Sequence, residues 1–189
     1  MRVFLISMLV TFGFHAFGSS MPGEMSYNQH SEGFAIGVGL GVENDYDNAT
    51  VLDIKTPTLF HWGESRFALV LSVESKDVGG SVGDEDFSIL PIHLMIDWST
   101  PTYKDLIRTY MRLGAGTVLV DEVNLFPEDQ FFNVQYILGL EIVAAGNTEG
   151  FGAFFLQAMA NVPGITNPPT NGSEIFDGTT LSLGYRLYF

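Results

Sequence analysis

Residues 179–189 read TTLSLGYRLYF, and they alternate in character up to the last residue of the chain. Every second residue is large and apolar, namely Leu181, Leu183, Tyr185, Leu187 and Phe189. The residues between them are Thr180, Ser182, Gly184, Arg186 and Tyr188, and all of these except Tyr188 are small or polar. Successive side chains of a β-strand point to opposite faces, so a period of two predicts a strand with one apolar face and one polar face.

The other end of the chain has the features of a signal peptide. Residues 1–20 combine a basic start at Arg2, an apolar core over residues 3–14 and small residues at Ala16 and Gly18. The apolar core is too short for a transmembrane helix. We expect residues 1–20 to be removed and the polar, aperiodic residues 21–32 to form a periplasmic lead, which leaves residues 33–189 as the single domain.

An alternating last strand that ends on Phe189, in a chain with a signal peptide, resembles the integral barrels of the Gram-negative outer membrane. The resemblance is to the small OmpA-, OmpX- and OmpW-like barrels, and it covers the mature chain at the level of architecture. It implies a location in the cell outer membrane, with outer-membrane lipids and the barrel assembly machinery as partners. It also implies that the assembly signal consists of Leu183, Tyr185, Leu187 and Phe189.

Seven further stretches alternate in the same way, which predicts eight strands in all. They cover residues 33–43, 50–60, 66–74, 87–98, 107–120, 131–143, 152–162 and 179–189. Strands of about ten residues cross a bilayer when they are tilted by ~45°. We therefore predict an all-β fold, a closed antiparallel up-and-down transmembrane barrel. More than half of the acidic residues fall in the four connections on the side opposite the chain ends, which we expect to be extracellular loops.

The polar faces of the predicted strands carry charged side chains. We place the following residues in an interior charge network: Asp53, Lys55, Arg66, Glu74, His93, Asp97, Arg108, Arg112, Glu141 and Arg186. Unpaired charge is costly in a narrow interior, so we expect salt bridges and hydrogen bonds among them. An eight-stranded barrel is just wide enough for side chains to fill it. The sequence therefore predicts a filled barrel and not an open pore.

Aromatic residues collect where the predicted strands begin and end, as membrane interfaces favour. Trp62 and Trp98 are the interface tryptophans. At the periplasmic rim we place Phe34, Trp62, Phe67, Trp98, Phe154 and Phe189, and at the opposite rim Phe87, Phe131 and Phe132. Pro57 and Pro91 interrupt two strands, because proline lacks the backbone N–H that a closed barrel needs, and we expect bulges or strand ends there.

Composition narrows the classes of function. The chain has 8 basic and 22 acidic residues and no cysteine, which argues against nucleic acid as a partner and excludes disulfides. Beyond the signal peptide the only histidines are His30, His61 and His93, and none falls in an outer loop beside a serine nucleophile. The acidic loops, for example Asp84–Asp86, lack EF-hand spacing. We predict no enzyme activity, no cofactor and no metal site.

The resulting hypothesis is an integral outer-membrane barrel that acts structurally or through its acidic extracellular loops, in envelope integrity, adhesion or interaction. Its extracellular partner is not identified. Three alternatives stay open: a lipid A-modifying outer-membrane enzyme, a small porin, and a secreted lipocalin-like binding barrel. A lipocalin would have the reverse arrangement, with aliphatic side chains inside and charged ones outside.

Overall fold

The computed structural model describes residues 25–26, 33–43, 46–78, 87–103, 106–120, 130–147, 150–162 and 179–189. The predicted signal peptide, most of the predicted lead and most of the acidic loop residues, Asp84–Asp86 among them, lie outside the described residues. Within the described ranges the regular structure is entirely β. No helix among these residues is long and apolar enough to cross a membrane.

Eight long strands form the body of the fold. They are β1 (Ala35–Glu43), β2 (Tyr46–Lys55), β3 (Ser65–Val78), β4 (Phe87–Ser99), β5 (Ile107–Val120), β6 (Gln130–Asn147), β7 (Gly150–Asn161) and β8 (Thr179–Tyr188). Three short strands accompany them: Met25–Ser26, Phe60–Trp62 and Thr102–Tyr103. Met25–Ser26 pairs with Thr102–Tyr103, which in turn pairs with the start of β5.

The sheet closes on itself. Each long strand pairs antiparallel with the next, and β8 pairs antiparallel with β1, with Leu183 opposite Leu40. The strands are tilted. A path that starts at Ala153 of β7 and steps from each residue to its partner on the next strand around the barrel reaches Asn133 on β6. The next step, back to β7, falls beyond Asn161 and not at Ala153, so the path is displaced along the strand after one circuit. Such a stagger is what barrel closure requires. The predicted closed, up-and-down, eight-stranded barrel is confirmed. We call the rim where β1 begins and β8 ends the terminal rim, and the other the far rim.

The two faces of the sheet differ as the alternation indicates. In β8 the side chains of Thr180, Ser182, Arg186 and Tyr188 are buried inside, whereas the leucines between them are exposed. Leu183 has 61% of its surface exposed on the outside of the barrel. The interior is therefore polar and the exterior aliphatic, which is the reverse of a lipocalin.

The two prolines have different positions. Pro57 follows the end of β2. The backbone stays hydrogen-bonded to β3 at Thr56 and Leu59, and the short strand Phe60–Trp62 pairs with β3 before a turn in which Gly63 has a φ of 61°. Pro91 lies inside β4 and points inward, so the expected bulge or strand end is wrong there. The register with β3 is the same on both sides of Pro91, although no ladder pair joins Pro91 to β3, because proline cannot donate.

Several strands are longer than predicted, which moves residues out of the predicted loops. β2 begins at Tyr46, and β3 continues to Val78, so that Lys76 points inward and Asp77 outward. Phe131 does not belong to the far-rim belt: it points inward and is 6% exposed, whereas Phe132 faces outward.

Candidate functional site

The interior of the barrel collects the charged side chains of six strands. The nine charged residues and the one histidine of the predicted network lie on β2, β3, β4, β5, β6 and β8, and each is at most 3% exposed: Asp53, Lys55, Arg66, Glu74, His93, Asp97, Arg108, Arg112, Glu141 and Arg186. The two other strands, β1 and β7, contribute alanine, glycine, Phe155, Gln157, Met159 and Asn161 to the inner face. The site is a packed, charged interior.

Asp53 and Asp97 are held between cations from three strands. Asp53 Oδ2 accepts from Arg112 Nη1 at 2.6 Å and from Arg186 Nη2 at 2.7 Å. Asp97 accepts from Lys55 Nζ at 3.0 Å and from Arg112 Nε at 2.8 Å. Arg112 thus bridges both carboxylates, which joins β2, β4 and β5 through the interior.

Glu141 on β6 is the third acceptor. It accepts from Arg108 Nε at 2.9 Å, from Arg186, and from the Tyr188 hydroxyl at 2.8 Å. With the Ser72 hydroxyl bonded to Asp53 at 2.9 Å, each oxygen of these three carboxylates accepts at least one hydrogen bond. A buried carboxylate is tolerated when it is paired and hydrogen-bonded in this way.

Four cations face the three carboxylates in this part of the interior. Aromatic rings contact the guanidinium groups of the three arginines among them. The Arg112 guanidinium lies 4.6 Å from the Tyr110 ring centroid, that of Arg186 lies 4.8 Å from Phe155, and that of Arg108 lies 5.0 Å from Tyr188. Such cation–π contacts stabilise a cation away from water. We define the ion-pair layer as Asp53, Lys55, Asp97, Arg108, Tyr110, Arg112, Glu141, Phe155, Arg186 and Tyr188.

Glycines make room for the large rings of this layer. A Cβ at Gly139 would lie 2.1 Å from Cζ of Tyr110, and one at Gly184 would lie 2.3 Å from Cζ of Phe155. A Cβ at Gly39 would also contact Phe155, at 2.8 Å. Gly39 of β1 and Gly184 of β8 therefore lie beneath a phenyl ring from β7.

An apolar ring follows the ion-pair layer towards the far rim. Val51, Val70, Met95, Ile137 and Met159 pack together with Tyr110 and are fully enclosed. Along β4 the inward residues run Asp97, Met95, His93, and along β6 Ile137 lies between Glu141 and Gln135. The apolar ring therefore separates the ion-pair layer from a second polar region.

That second region, the far polar layer, comprises Glu74, Lys76, His93, Gln135, Asn161, Thr180 and Ser182. Lys76 Nζ lies 3.2 Å from Glu74 Oε2 and donates to Thr180 Oγ1 at 2.9 Å. Lys76 was missed because the glycine-rich sequence after Glu74 indicates a loop, while the strand continues. The even spacing of Ser72, Glu74 and Lys76 is the signal that could have located it.

Outside the barrel, aromatic side chains stack near the terminal rim. The rings of Phe60 and Phe67 are 4.6 Å apart and nearly parallel, and Phe67 stacks on Trp98 at 6.0 Å. Trp62 is 78% exposed on the same hairpin. Phe34 lies 6.3 Å from Phe189, and Phe154 contacts Tyr185 edge-on at 5.1 Å.

Candidate catalytic groups are not assembled on the outer surface of the described part of the chain. His93 is enclosed in the barrel, opposite Ser72, whose hydroxyl is bonded to Asp53. The exposed Ser88 donates to Asp77 at 2.9 Å, without a histidine on that surface among the described residues. No group of three metal-ligating side chains occurs within the described ranges.

Comparisons with known proteins find similarity in fold alone. No protein-family model matches the sequence, and a search of curated proteins finds no match. Among solved structures, the outer membrane enzyme PagL is similar, with a TM-score of 0.51 and 12% identity, over 80% of this chain and 97% of PagL. The amino-terminal β-barrel domain of Pseudomonas aeruginosa OprF has a TM-score of 0.46 and 13% identity, over 84% of this chain and 98% of that domain. The fold of this chain is thus similar to that of the outer membrane enzyme PagL.

Proposed function

We propose that this chain is an integral outer-membrane protein whose filled barrel spans the bilayer, and that it acts structurally or through its acidic extracellular loops in envelope integrity, adhesion or interaction. The observation that carries the proposal is the inverted arrangement of the barrel. Its interior contains a layer of buried ion pairs, and aliphatic side chains cover its exterior.

The exterior suits hydrocarbon and not water. Leu40, Leu94 and Leu183 are each more than half exposed, and their outward neighbours along each strand are also apolar. Soluble monomers rarely expose so large a continuous apolar surface, whereas membrane barrels require one. Closure gives each of the eight strands a hydrogen-bonded neighbour on both sides, so that none presents a free edge to the bilayer.

Two further features support placement in the outer membrane. The stacked aromatic residues at the terminal rim, with Trp62 and Trp98, match an interfacial girdle. The fold is also similar to that of PagL, an outer-membrane enzyme. In this proposal the outward row of Leu183, Tyr185, Leu187 and Phe189 is read by the barrel assembly machinery before it faces outer-membrane lipids.

The filled interior supports a barrel without conductance. The ion-pair layer joins side chains from β2, β4, β5, β6 and β8, and Phe155 of β7 packs beneath Arg186. A small porin would need a continuous aqueous path through these groups. A lipocalin-like carrier would need an apolar cavity, and the inner face is charged.

We also propose that the chain is not an enzyme, although the similar fold of PagL belongs to one. The support is the position of the histidines in the described part of the chain: the exposed His61 lies on the short strand Phe60–Trp62 at the terminal rim, and His93 is fully enclosed. A substrate in the outer leaflet would have no access to its ring nitrogens.

The decisive experiment is expression in a Gram-negative host followed by membrane fractionation, detergent extraction and electrophoresis of heated and unheated samples. We expect the chain in the outer-membrane fraction, extractable only with detergent, with a change of mobility on heating. Recovery in the soluble fraction would refute the proposal. Planar-bilayer recordings on the same sample test the filled interior, since large current steps would contradict it.

A further inference from the structure

The apolar exterior of the barrel does not have the same height on all sides. On β2 and β3 the outward apolar residues end at Leu52 and Val73, and both strands continue towards the far rim with polar outward residues. Thr50 of β2 pairs with Ser75 of β3. With their neighbours on the same face they form an outward patch that we call the polar notch: Asn48, Thr50, Ser75, Asp77 and Ser88.

The register of the strands gives the level of each residue along the barrel. A row of paired residues that starts on β7 and passes through β8 and β1 to β6 climbs towards the far rim. One circuit displaces the row by more than the eight residues that separate Ala153 from Asn161. Each step to the next strand therefore climbs, on average, by more than one residue.

The polar notch lies at a level that is apolar on the wall formed by β5 and β6. Phe132 of β6 is reached from Val73 in three steps along one row, whereas Ser75 is only two residues beyond Val73. Phe132 is therefore closer to the far rim than Ser75, and it is 53% exposed on the outside. The apolar exterior thus extends further towards the far rim on β6 than on β3.

Ala115 of β5 provides a matched position for Thr50. Ala115 is reached from Ile54 of β2 in three steps, and Thr50 is four residues beyond Ile54 on its own strand. The two residues therefore lie at nearly the same level, and both are exposed on the outside. In a bilayer of even thickness around the barrel, both side chains would meet hydrocarbon.

The position of the notch selects its occupant. Hydroxyl and amide groups at hydrocarbon depth lose their hydrogen bonds to water unless another polar group replaces them. On the terminal side the notch is bordered by Leu52 and Val73, but towards the far rim it continues through Asn48 and Asp77. It is therefore open to the membrane surface, where lipid headgroups lie. A bilayer adjusts to a short apolar surface by local thinning at modest cost, which lowers the headgroups to this level.

We propose that the polar notch binds the headgroup of a lipid in the leaflet at the far rim, and that this leaflet is thinner beside β2 and β3 than beside β5 and β6. The Asp77 carboxylate, which accepts from Ser88 at 2.9 Å, favours the hydroxyl and ammonium groups of the headgroup as the parts that contact the notch. This inference rests on the proposed placement of the barrel in a membrane.

Single cysteines test the proposal, because the chain has none of its own. T50C and S75C lie in the notch, A115C is the matched control at the level of position 50, and F132C lies nearer the far rim. Each variant is spin-labelled and folded into vesicles of phosphatidylethanolamine and phosphatidylglycerol, and heat-dependent mobility on gels shows that the barrel has formed. Should T50C not fold, S75C gives the same comparison.

We expect the labels at positions 50 and 75 to collide several-fold more often with a water-soluble nickel chelate than the labels at 115 and 132. The latter two should collide mainly with oxygen dissolved in the hydrocarbon. Hydrocarbon surroundings at all four positions would overturn the proposal and leave the membrane barrel intact. Aqueous surroundings at all four would refute the membrane placement, and this inference with it.

Phosphorus resonance of the lipid separates a bound headgroup from other occupants. The label at position 50 should broaden the headgroup signal more than the label at 115. Equal broadening would overturn the proposal, because water alone would then occupy the notch. Spin–spin broadening at position 50 that disappears on dilution with unlabelled protein would also overturn it, in favour of a second copy of the chain.

Discussion

Arg186 on the last strand donates a hydrogen bond to Asp53 on the second strand, with 2.7 Å between Nη2 and Oδ2. The same guanidinium also contacts Glu141 on the sixth strand. One side chain of β8 therefore connects two walls of the barrel on either side of the seam where β8 pairs with β1. Closure of the sheet and neutralisation of the interior charges are coupled through this residue.

Replacement of Arg186 by methionine should strongly destabilise the barrel. Removal of one partner from a buried ion pair leaves uncompensated charge and costs about 3–5 kcal/mol. Urea unfolding in detergent micelles, followed by tryptophan fluorescence, measures the loss. R186K keeps the charge but loses the forked geometry, so its unfolding midpoint should lie between those of R186M and the unaltered protein. Equal midpoints for all three proteins would contradict a role for Arg186 in closure.

Glycine at position 139 should be needed for packing of Tyr110. G139A would place a methyl group 2.1 Å from Cζ of a fully buried ring, and overpacking of this kind costs about 1–3 kcal/mol. The matched control is G37A, because the nearest atom there is Nε of the Arg186 side chain at 3.1 Å. Thermal or urea unfolding should show the larger loss for G139A, and the opposite order would count against the packing described here.

Replacement of Leu183 by a charged residue tests whether the outer face of the barrel contacts lipid or water. Leu183 lies opposite Leu156 and Leu40, in the middle of the apolar exterior. L183R should cost about 2–4 kcal/mol when the chain folds in lipid vesicles, as arginine does at the bilayer midplane. T179R, at the far end of the same strand, should cost about 1 kcal/mol or less. Similar stability of the two variants in vesicles would indicate that this face does not contact lipid.

Trp62 should lie at the interface of the bilayer with water. The chain has only two tryptophans, so W98F leaves Trp62 as the single tryptophan, and excitation at its red edge avoids the tyrosines. We expect its emission in vesicles to shift to shorter wavelength than in urea, and lipids brominated near the headgroup to quench it more than lipids brominated deep in the acyl chain. Emission at the wavelength of the unfolded chain, without quenching by either lipid, would place Trp62 in water.

Alternation in the sequence was sufficient to predict the eight strands and the barrel architecture. It predicted the ends of the strands less reliably. The period of two in β8 and β1 matches the fold, because the outward face of each strand is apolar and the inward face is polar or small. The ends were misjudged at Lys76, where residues typical of loops lie inside a strand, and at Phe131, which has the same inward parity as Asn133 although it lies near the rim. Parity within one strand indicates the face on which such a residue lies, whereas backbone pairing with the neighbouring strands decides how far the strand extends.

The sequence by itself determined that two faces of opposite character alternate along each strand, because side-chain direction in a strand depends only on the parity of the residue number. The tertiary structure decided which carboxylate meets which cation. Asp53 and Arg186 are 133 residues apart, and only the closure and tilt of the barrel bring them to the same level of the interior. The separation of the ion-pair layer from the far polar layer was likewise decided by packing, since the apolar ring between them is assembled from β2, β3, β4, β6 and β7.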